Sequence, residues 1–489
     1  MKITLINPYD FSGPGIRSVT ATLRSKGYKV QTLFLLMDSR FLAESTDGMD
    51  CNEIVIAEIL KKSKDSDLVG ITLMTNAFKM AINISQNIKE KLKIPVIWGG
   101  IHPTISPDEC LDHADMICMG EGEIPMLNLA EKIEKNLNYL DIEGIWSKVN
   151  GTILKNKIPP PIQDLDSLPI DNYENCNDQV LRNDRFTLVN QSVASEFLGS
   201  QISVFSTRGC PYRCSFCCNN ALNSLYKKHK ILRYKSPPFM VQEIKNLVSR
   251  HKNIKRVFFN DDSFIVRSVE DIKEFTKLYK KHIDLPFSCQ ITAPSVREEI
   301  IKLLVNAGLD DARIGLQSAS AKILKLYDRP ISPDQVKRAA QIINKYFKDD
   351  QLVSYDIILD NPYETKKNII NTLRFLISLP KPFSLRFYSL QLYPGTQLFS
   401  KVESEGDSSK FRDSYYNSYR SVQGSYLNAL FYLVKFIGLR RCPLILGKIL
   451  LKNEMLFLLD NPLTDGILKI LRNIRSFFKY SLFRPNLVQ

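Results

Sequence analysis

Short apolar runs alternate with stretches of helical periodicity through most of this chain. Residues 2–7 read as a strand, 18–26 as a helix closed by Gly27, and 30–36, 68–74, 95–100 and 115–118 as four further strands. Strands alternating with helices predict a doubly wound, Rossmann-like α/β sheet whose ligand lies outside the strands' carboxyl ends. Glycines and small polar residues gather there: Thr75-Asn76, Gly99-Gly100-Ile101-His102-Pro103-Thr104, and Gly120-Glu121-Gly122-Glu123. The same alternation resumes downstream, with strands at 202–205, 256–260, 287–292, 311–316, 352–359 and 385–392 and amphipathic helices such as 268–282 and 297–307. A proline-bearing bridge, Pro159-Pro160-Pro161 to Pro169, separates the two regions and favours extended chain.

Composition narrows the class. The 489 residues leave room for two or three domains of roughly 150 residues each, and 44% hydrophobic with 24% charged residues is ordinary globular protein. Ten cysteines are too sparse for a disulfide scaffold. The start of the chain lacks the pattern of a secretory leader, and no apolar run has the length of a membrane span. The net charge is +14, but residues 411–489 alone hold twelve Lys/Arg against four Asp/Glu. The excess therefore belongs to the tail, and a general nucleic-acid binder is not expected. Within the tail, Ile467, Leu468, Ile470, Leu471, Ile474, Phe477 and Phe478 recur at helical spacing among Lys469, Arg472, Arg475 and Lys479. Such a helix either packs on its own protein or lies on an anionic membrane surface.

The chemistry is concentrated in Cys210-Pro211-Tyr212-Arg213-Cys214-Ser215-Phe216-Cys217, directly after the strand at 202–205. Three thiolates spaced C-x3-C-x2-C on one loop suit three corners of a [4Fe–4S] cube and leave one iron open to a small molecule. Zinc would require a fourth ligand, for which Cys218 and Cys176 are the nearest sequence candidates. Buried cysteines without metal are the remaining reading.

This loop resembles the signature of the radical S-adenosylmethionine (SAM) enzymes. The order of Gly-Gly-Ile-His-Pro-Thr, Gly-Glu-Gly-Glu and cysteine loop resembles, over residues 1 to about 400, their cobalamin-dependent subgroup. The resemblance implies a cobalamin-binding domain at 1–145, a linker at 146–195, a partial (β/α)6 radical SAM barrel at 196–400 and a small helical region at 401–489. It implies a [4Fe–4S] cluster on Cys210, Cys214 and Cys217. SAM would contact Phe216, Asp261, Asp262, Gln317, Ser318, Asp356 and Ile358. Cobalamin would contact Thr75, Asn76, Gly99, Gly100, His102, Gly120, Glu121, Gly122 and Glu123. The chain departs from many cobalamin folds in having no Asp-x-His-x-x-Gly run, so cobalamin is expected without a histidine ligand to cobalt.

The activity implied is generation of a 5′-deoxyadenosyl radical that activates an unactivated carbon, with methyl transfer favoured. No residue is singled out as an acid, base or nucleophile. The alternatives are a radical SAM enzyme without cobalamin (a cyclase, a rearrangement enzyme, or a methylthiotransferase using Cys51, Cys110 and Cys118 for a second cluster) and a non-catalytic cobalamin carrier or sensor. The expected partners are a small-molecule substrate, to which the apolar tail adds a lipid-like option, and an electron donor such as flavodoxin or ferredoxin. Reduced thiols place the chain in the cytoplasm, with membrane contact through the basic tail as the one qualification.

Overall fold

A computed structural model describes residues 1–9, 11–36, 51–171, 173–175, 177–406, 422–440, 442–452, 455, 459 and 461–466. The chain forms two compact units, residues 1–287 with 391–419, and 288–390 with 420–489. The tail helix expected from Ile467 onward, and Cys176, lie outside the described residues.

The first unit is built on a nine-stranded sheet. Its strands are β1 (Lys2–Asn7), β2 (Lys29–Phe34), β3 (Leu68–Thr72), β4 (Val96–Gly99), β5 (Met116–Cys118), β6 (Ile145–Val149), β7 (Thr152–Lys155), β8 (Gln179–Arg182) and β9 (Arg185–Leu188), in the order β7-β6-β5-β4-β3-β1-β2-β8-β9. The five strands β1–β5 fall where the apolar runs predict and pair in parallel. They read as nearly continuous apolar runs because helices cover both faces. Trp98 in β4 is fully buried and its indole N–H donates to Ser85 Oγ at 2.8 Å.

The linker expected at 146–195 is not a free spacer. It supplies β6 to β9, two antiparallel hairpins that extend the sheet at opposite edges. Their turns are Asn150-Gly151 and Asn183-Asp184, each with positive φ at both residues, the backbone that a two-residue hairpin turn requires and that Asn, Asp and Gly adopt most cheaply.

All six strands expected downstream are present. In the first unit β10 (Gln201–Val204) pairs in parallel with β13 (Arg256–Phe259), and the short strands β11 (Thr207–Arg208) and β12 (Arg233–Tyr234) form an antiparallel ribbon. The chain enters the second unit within β14 (Phe287–Ile291), and there β15 (Leu309–Gln317), β16 (Leu352–Leu359) and β17 (Phe383–Ser389) are parallel neighbours. Among the described residues no helix is long and apolar enough to cross a membrane.

Candidate active site

The cysteine loop leaves β10 through Ser206 and Thr207 and ends at helix α1 (Cys218–Leu225). Two asparagines of that helix hold it from behind: Asn220 donates to the Arg213 carbonyl at 3.1 Å and Asn223 to the Cys210 carbonyl at 2.8 Å. Gly209 opens the loop at φ +88°, packed so closely on the Ile231 carbonyl that a Cβ would collide with it. The segment after β17 returns to the loop, where the Leu398 N–H donates to the Ser215 carbonyl at 2.8 Å. Cys214 is buried; Cys210, Cys217 and Phe216 are half-buried.

Burial pushes the Cys210 thiol up to about 12, with smaller contributions from Asp262, Cys217 and Cys214. The Cys210 thiol therefore ionises only if a bound cation supplies the compensating charge. No three His, Cys, Asp or Glu side chains among the described residues converge as a single-ion site demands. A cubane holds its cysteine sulfurs on separate corners, and the three cysteines of this one loop can supply three of them, whereas zinc would need a fourth ligand. Cys218 occupies the first turn of α1 and hydrogen-bonds with Cys217, the largest cause of its raised pKa.

The neighbouring carboxylates Asp261 and Asp262, both expected at SAM, divide into two jobs. Asp261 is 1% exposed, and it accepts from the Ser206 N–H (2.6 Å), the Thr207 N–H (2.7 Å), the Thr207 hydroxyl (3.0 Å) and the Ser206 hydroxyl. It ties the strand entering the cysteine loop to the end of β13. With its oxygens so engaged, the expectation of SAM contact at Asp261 is corrected to a positioning role. Asp262 faces a cavity instead, and burial raises its pKa against a hydrogen bond from Asn219.

That cavity, of about 480 Å³, lies within the first unit, over the carboxyl ends of the sheet strands and up to Thr207, Arg208 and Gly209 at the foot of the cysteine loop. Gly99, Gly100, Gly120, Glu121, Gly122 and Glu123 line it. Thr75, Asn76 and His102 are buried and do not line it. His102 is fully buried, with Nδ1 3.1 Å from Thr75 Oγ1 and Nε2 3.1 Å from Glu109, edge-on to Phe78. It braces the strand-end loops from inside.

Glu121 and Glu123 are also committed to protein partners. Glu123 pairs with Arg208 and accepts from Ser18 Oγ; Glu121 pairs with Arg233 at 2.7 Å and Arg208 at 3.4 Å. The Arg208 guanidinium and these hydrogen bonds hold the Glu123 carboxyl below its usual range despite burial. The buried Tyr226 hydroxyl accepts from the Glu121 N–H at 3.0 Å, and a Cβ on Gly120 would strike it. Sequence reasoning missed Ser18, Arg208, Tyr226 and Arg233. It also missed the wall at Leu168–Asp171, where Asp171 is fixed by Arg17 at 2.6 Å.

The cavity fits a large planar cofactor that approaches backbone. At Gly99 an added Cβ would meet only Cys118 Cβ, 3.8 Å away, and would otherwise project into open space. Gly99 closes a strand and has no positive φ. Gly99→Val is therefore expected to weaken hydroxocobalamin binding at least about tenfold, ~1.4 kcal/mol, in a spectroscopic titration, with Tm within about 2 °C of wild type.

Four expected SAM contacts lie in the second unit. Gln317 sits at a bulge in β15 with φ +67°. Asp356 is paired in register with Gly315 and Arg386; burial lifts it to about 6, opposed by Arg386 and Arg313. Ile358 is buried. Ser318 is corrected: its hydroxyl donates to Glu364 at 3.0 Å, lies 3.2 Å from Thr372 Oγ1 and accepts from the Ser320 N–H, so it clasps a loop.

Burial raises Glu364 to about 7. A carboxyl whose folded pKa exceeds its unfolded value stabilises the fold below the unfolded pKa and loses that contribution as pH rises through the folded value. Wild-type stability should thus fall by on the order of 3 kcal/mol between about pH 4.5 and 7 from this group. Denaturant titrations of Glu364→Gln should show that slope removed.

Comparison with known proteins agrees with the site. Residues 204–376 match the Radical SAM superfamily and residues 6–130 the B12 binding domain. An uncharacterised methyltransferase of Pyrococcus horikoshii is 26% identical over 355 residues, covering 70% of this chain and 71% of the relative. The anaerobic magnesium-protoporphyrin IX monomethyl ester cyclase of Rubrivivax gelatinosus is 28% identical over 300 residues, covering 59% of this chain and 50% of that enzyme. The structure of the radical SAM methyltransferase TsrM from Kitasatospora setae superposes with a TM-score of 0.63 at 17% identity, covering 83% of this chain and 76% of TsrM. Fold and site thus define a radical SAM enzyme preceded by a B12-binding domain. The chain carries a B12 binding domain followed by a Radical SAM domain, and the cofactors these two domains imply are cobalamin, a [4Fe–4S] cluster and SAM.

Proposed function

We propose that this protein methylates an unactivated carbon of a small-molecule substrate. The observation that carries the reading is the single cavity reaching from the glycine-lined strand ends to the foot of the cysteine loop. When bound, the cluster and SAM supply the radical chemistry and cobalamin the methyl group. The chain's own work is placement. Cys210, Cys214 and Cys217 would hold the cluster, Asp262 faces the shared cavity, and Gly99 leaves room for the corrin. Arg208 and Arg233 fix the Glu121–Glu123 loop against the strand that carries the cysteines. Phe216 in the loop, and Gln317, Asp356 and Ile358 in the second unit, are the proposed SAM contacts.

A second reading, cyclisation, is favoured by the cyclase relatives, the Rubrivivax enzyme among them. A methylthiotransferase would need a second cluster, but Cys110 is buried in the apolar core and does not line the cavity that Cys118 lines. An external one-electron donor protein and a cytoplasmic setting complete the proposal. The test is product stoichiometry with candidate substrates. Methylation gives deoxyadenosine and S-adenosylhomocysteine in equal amounts; deoxyadenosine with product but no S-adenosylhomocysteine would assign cyclisation.

A further inference from the structure

The described C-terminal part of the second unit exposes apolar side chains where the rest of the molecule mostly buries them. Helix α2 (Tyr426–Gly438) presents Tyr432 and Phe436, one turn apart, and helix α3 (Leu444–Leu450) presents Ile445, Leu446 and Ile449; Leu463 is 75% exposed. Six of the twelve large apolar residues exposed across the described chain therefore fall between residues 432 and 463. Singly exposed apolar residues are unremarkable, but a cluster marks a contact surface.

Helix α3 has a definite orientation. Gly447 seats it on Ile437 and Ile377, so closely that a Cβ would crowd both, and Leu451 just beyond it is buried. Ile445, Ile449 and Leu446 then occupy about 100° of circumference away from that seat, with Lys448 and Lys452 along one border. An apolar stripe edged by lysines is the pattern of a helix lying in a lipid headgroup layer.

We infer that this face of α3, formed by Ile445, Leu446 and Ile449 and bordered by Lys448 and Lys452, docks on an anionic membrane surface. The inference is independent of the reaction proposed above. A second copy of the chain fits less well, because an antiparallel isologous contact of α3 would bring like-charged lysine borders together. The chain beyond Gly466 fits less well too, since it holds five Lys/Arg and no Asp/Glu. Those five cations and the two lysines instead complement anionic lipid.

The test is sedimentation of the full chain with phosphatidylcholine vesicles, with or without about one third phosphatidylglycerol. Binding is expected to anionic vesicles only, weakened by salt. It should fall at least about tenfold in Ile445→Glu/Ile449→Glu and also in Lys448→Glu/Lys452→Glu, whose exposed side chains make no fold contact to lose. It should persist in Ile54→Glu/Leu188→Glu, which alters exposed residues elsewhere. Equal binding to both vesicle types, or to neither, would overturn the inference. So would wild-type binding by both α3 variants combined with loss on truncation after Gly466, or a concentration-dependent dimer that those variants abolish.

Discussion

Cys210→Ala/Cys214→Ala/Cys217→Ala is expected to yield no deoxyadenosine above background, a loss of about a thousandfold or more, ~4 kcal/mol in barrier terms. The thiols are the ligands, but they are not what shapes the loop. Asn220 and Asn223 hold it by its carbonyls, Asp261 fixes its entry and Leu398 its far side. The variant lacking cofactors should therefore unfold within about 2 °C of the wild-type apoprotein while iron analysis and cluster absorbance fall to baseline. Retention of SAM cleavage would remove the assignment of the cluster to this loop.

The second large effect is structural and comes from Asp261→Ala. The substitution leaves the Ser206 and Thr207 amides without their acceptor, and the buried Arg267 guanidinium, which donates to the Ser206 carbonyl at 2.7 Å, without its nearby countercharge. Leaving two buried amides without an acceptor costs about 1–3 kcal/mol each. A drop in Tm of at least about 5 °C is expected by calorimetry, together with poor cluster loading, because the strand that delivers Cys210 loses its anchor. Asp262→Ala should leave Tm nearly unchanged and act on SAM cleavage instead. Equal destabilisation by the two variants would refute the division of labour between these neighbours.

That division shows what a sequence can and cannot say here. The cysteine spacing and the glycine runs were legible because both are local: the loop carries its ligands within eight residues, and Gly99, Gly100 and Gly120 stand at strand ends. The five parallel strands and the six downstream ones were legible from apolar periodicity. Asp261 and Asp262 could not be separated, since adjacent residues leaving a strand point to opposite sides and only the fold decides which side holds Ser206 and Thr207. His102 looked like a cavity residue for the same reason, yet Thr75 and Glu109 turn it inward. Arg208, Arg233 and Tyr226 carried no signal, because their partners Glu121 and Glu123 are roughly a hundred residues away. The hairpins β6–β7 and β8–β9 did carry one, in Asn150-Gly151 and Asn183-Asp184, and prolines nearby obscured it.

The central claim is that one protein holds a SAM-cleaving cluster and cobalamin together. Anaerobic reconstitution with iron, sulfide and hydroxocobalamin, followed by dithionite and SAM, tests it most directly. The account predicts about four irons and one cobalamin per chain, with deoxyadenosine formed by the same preparation. A fully loaded cluster that never cleaves SAM, or cleavage by a protein that retains no cobalamin, would contradict it.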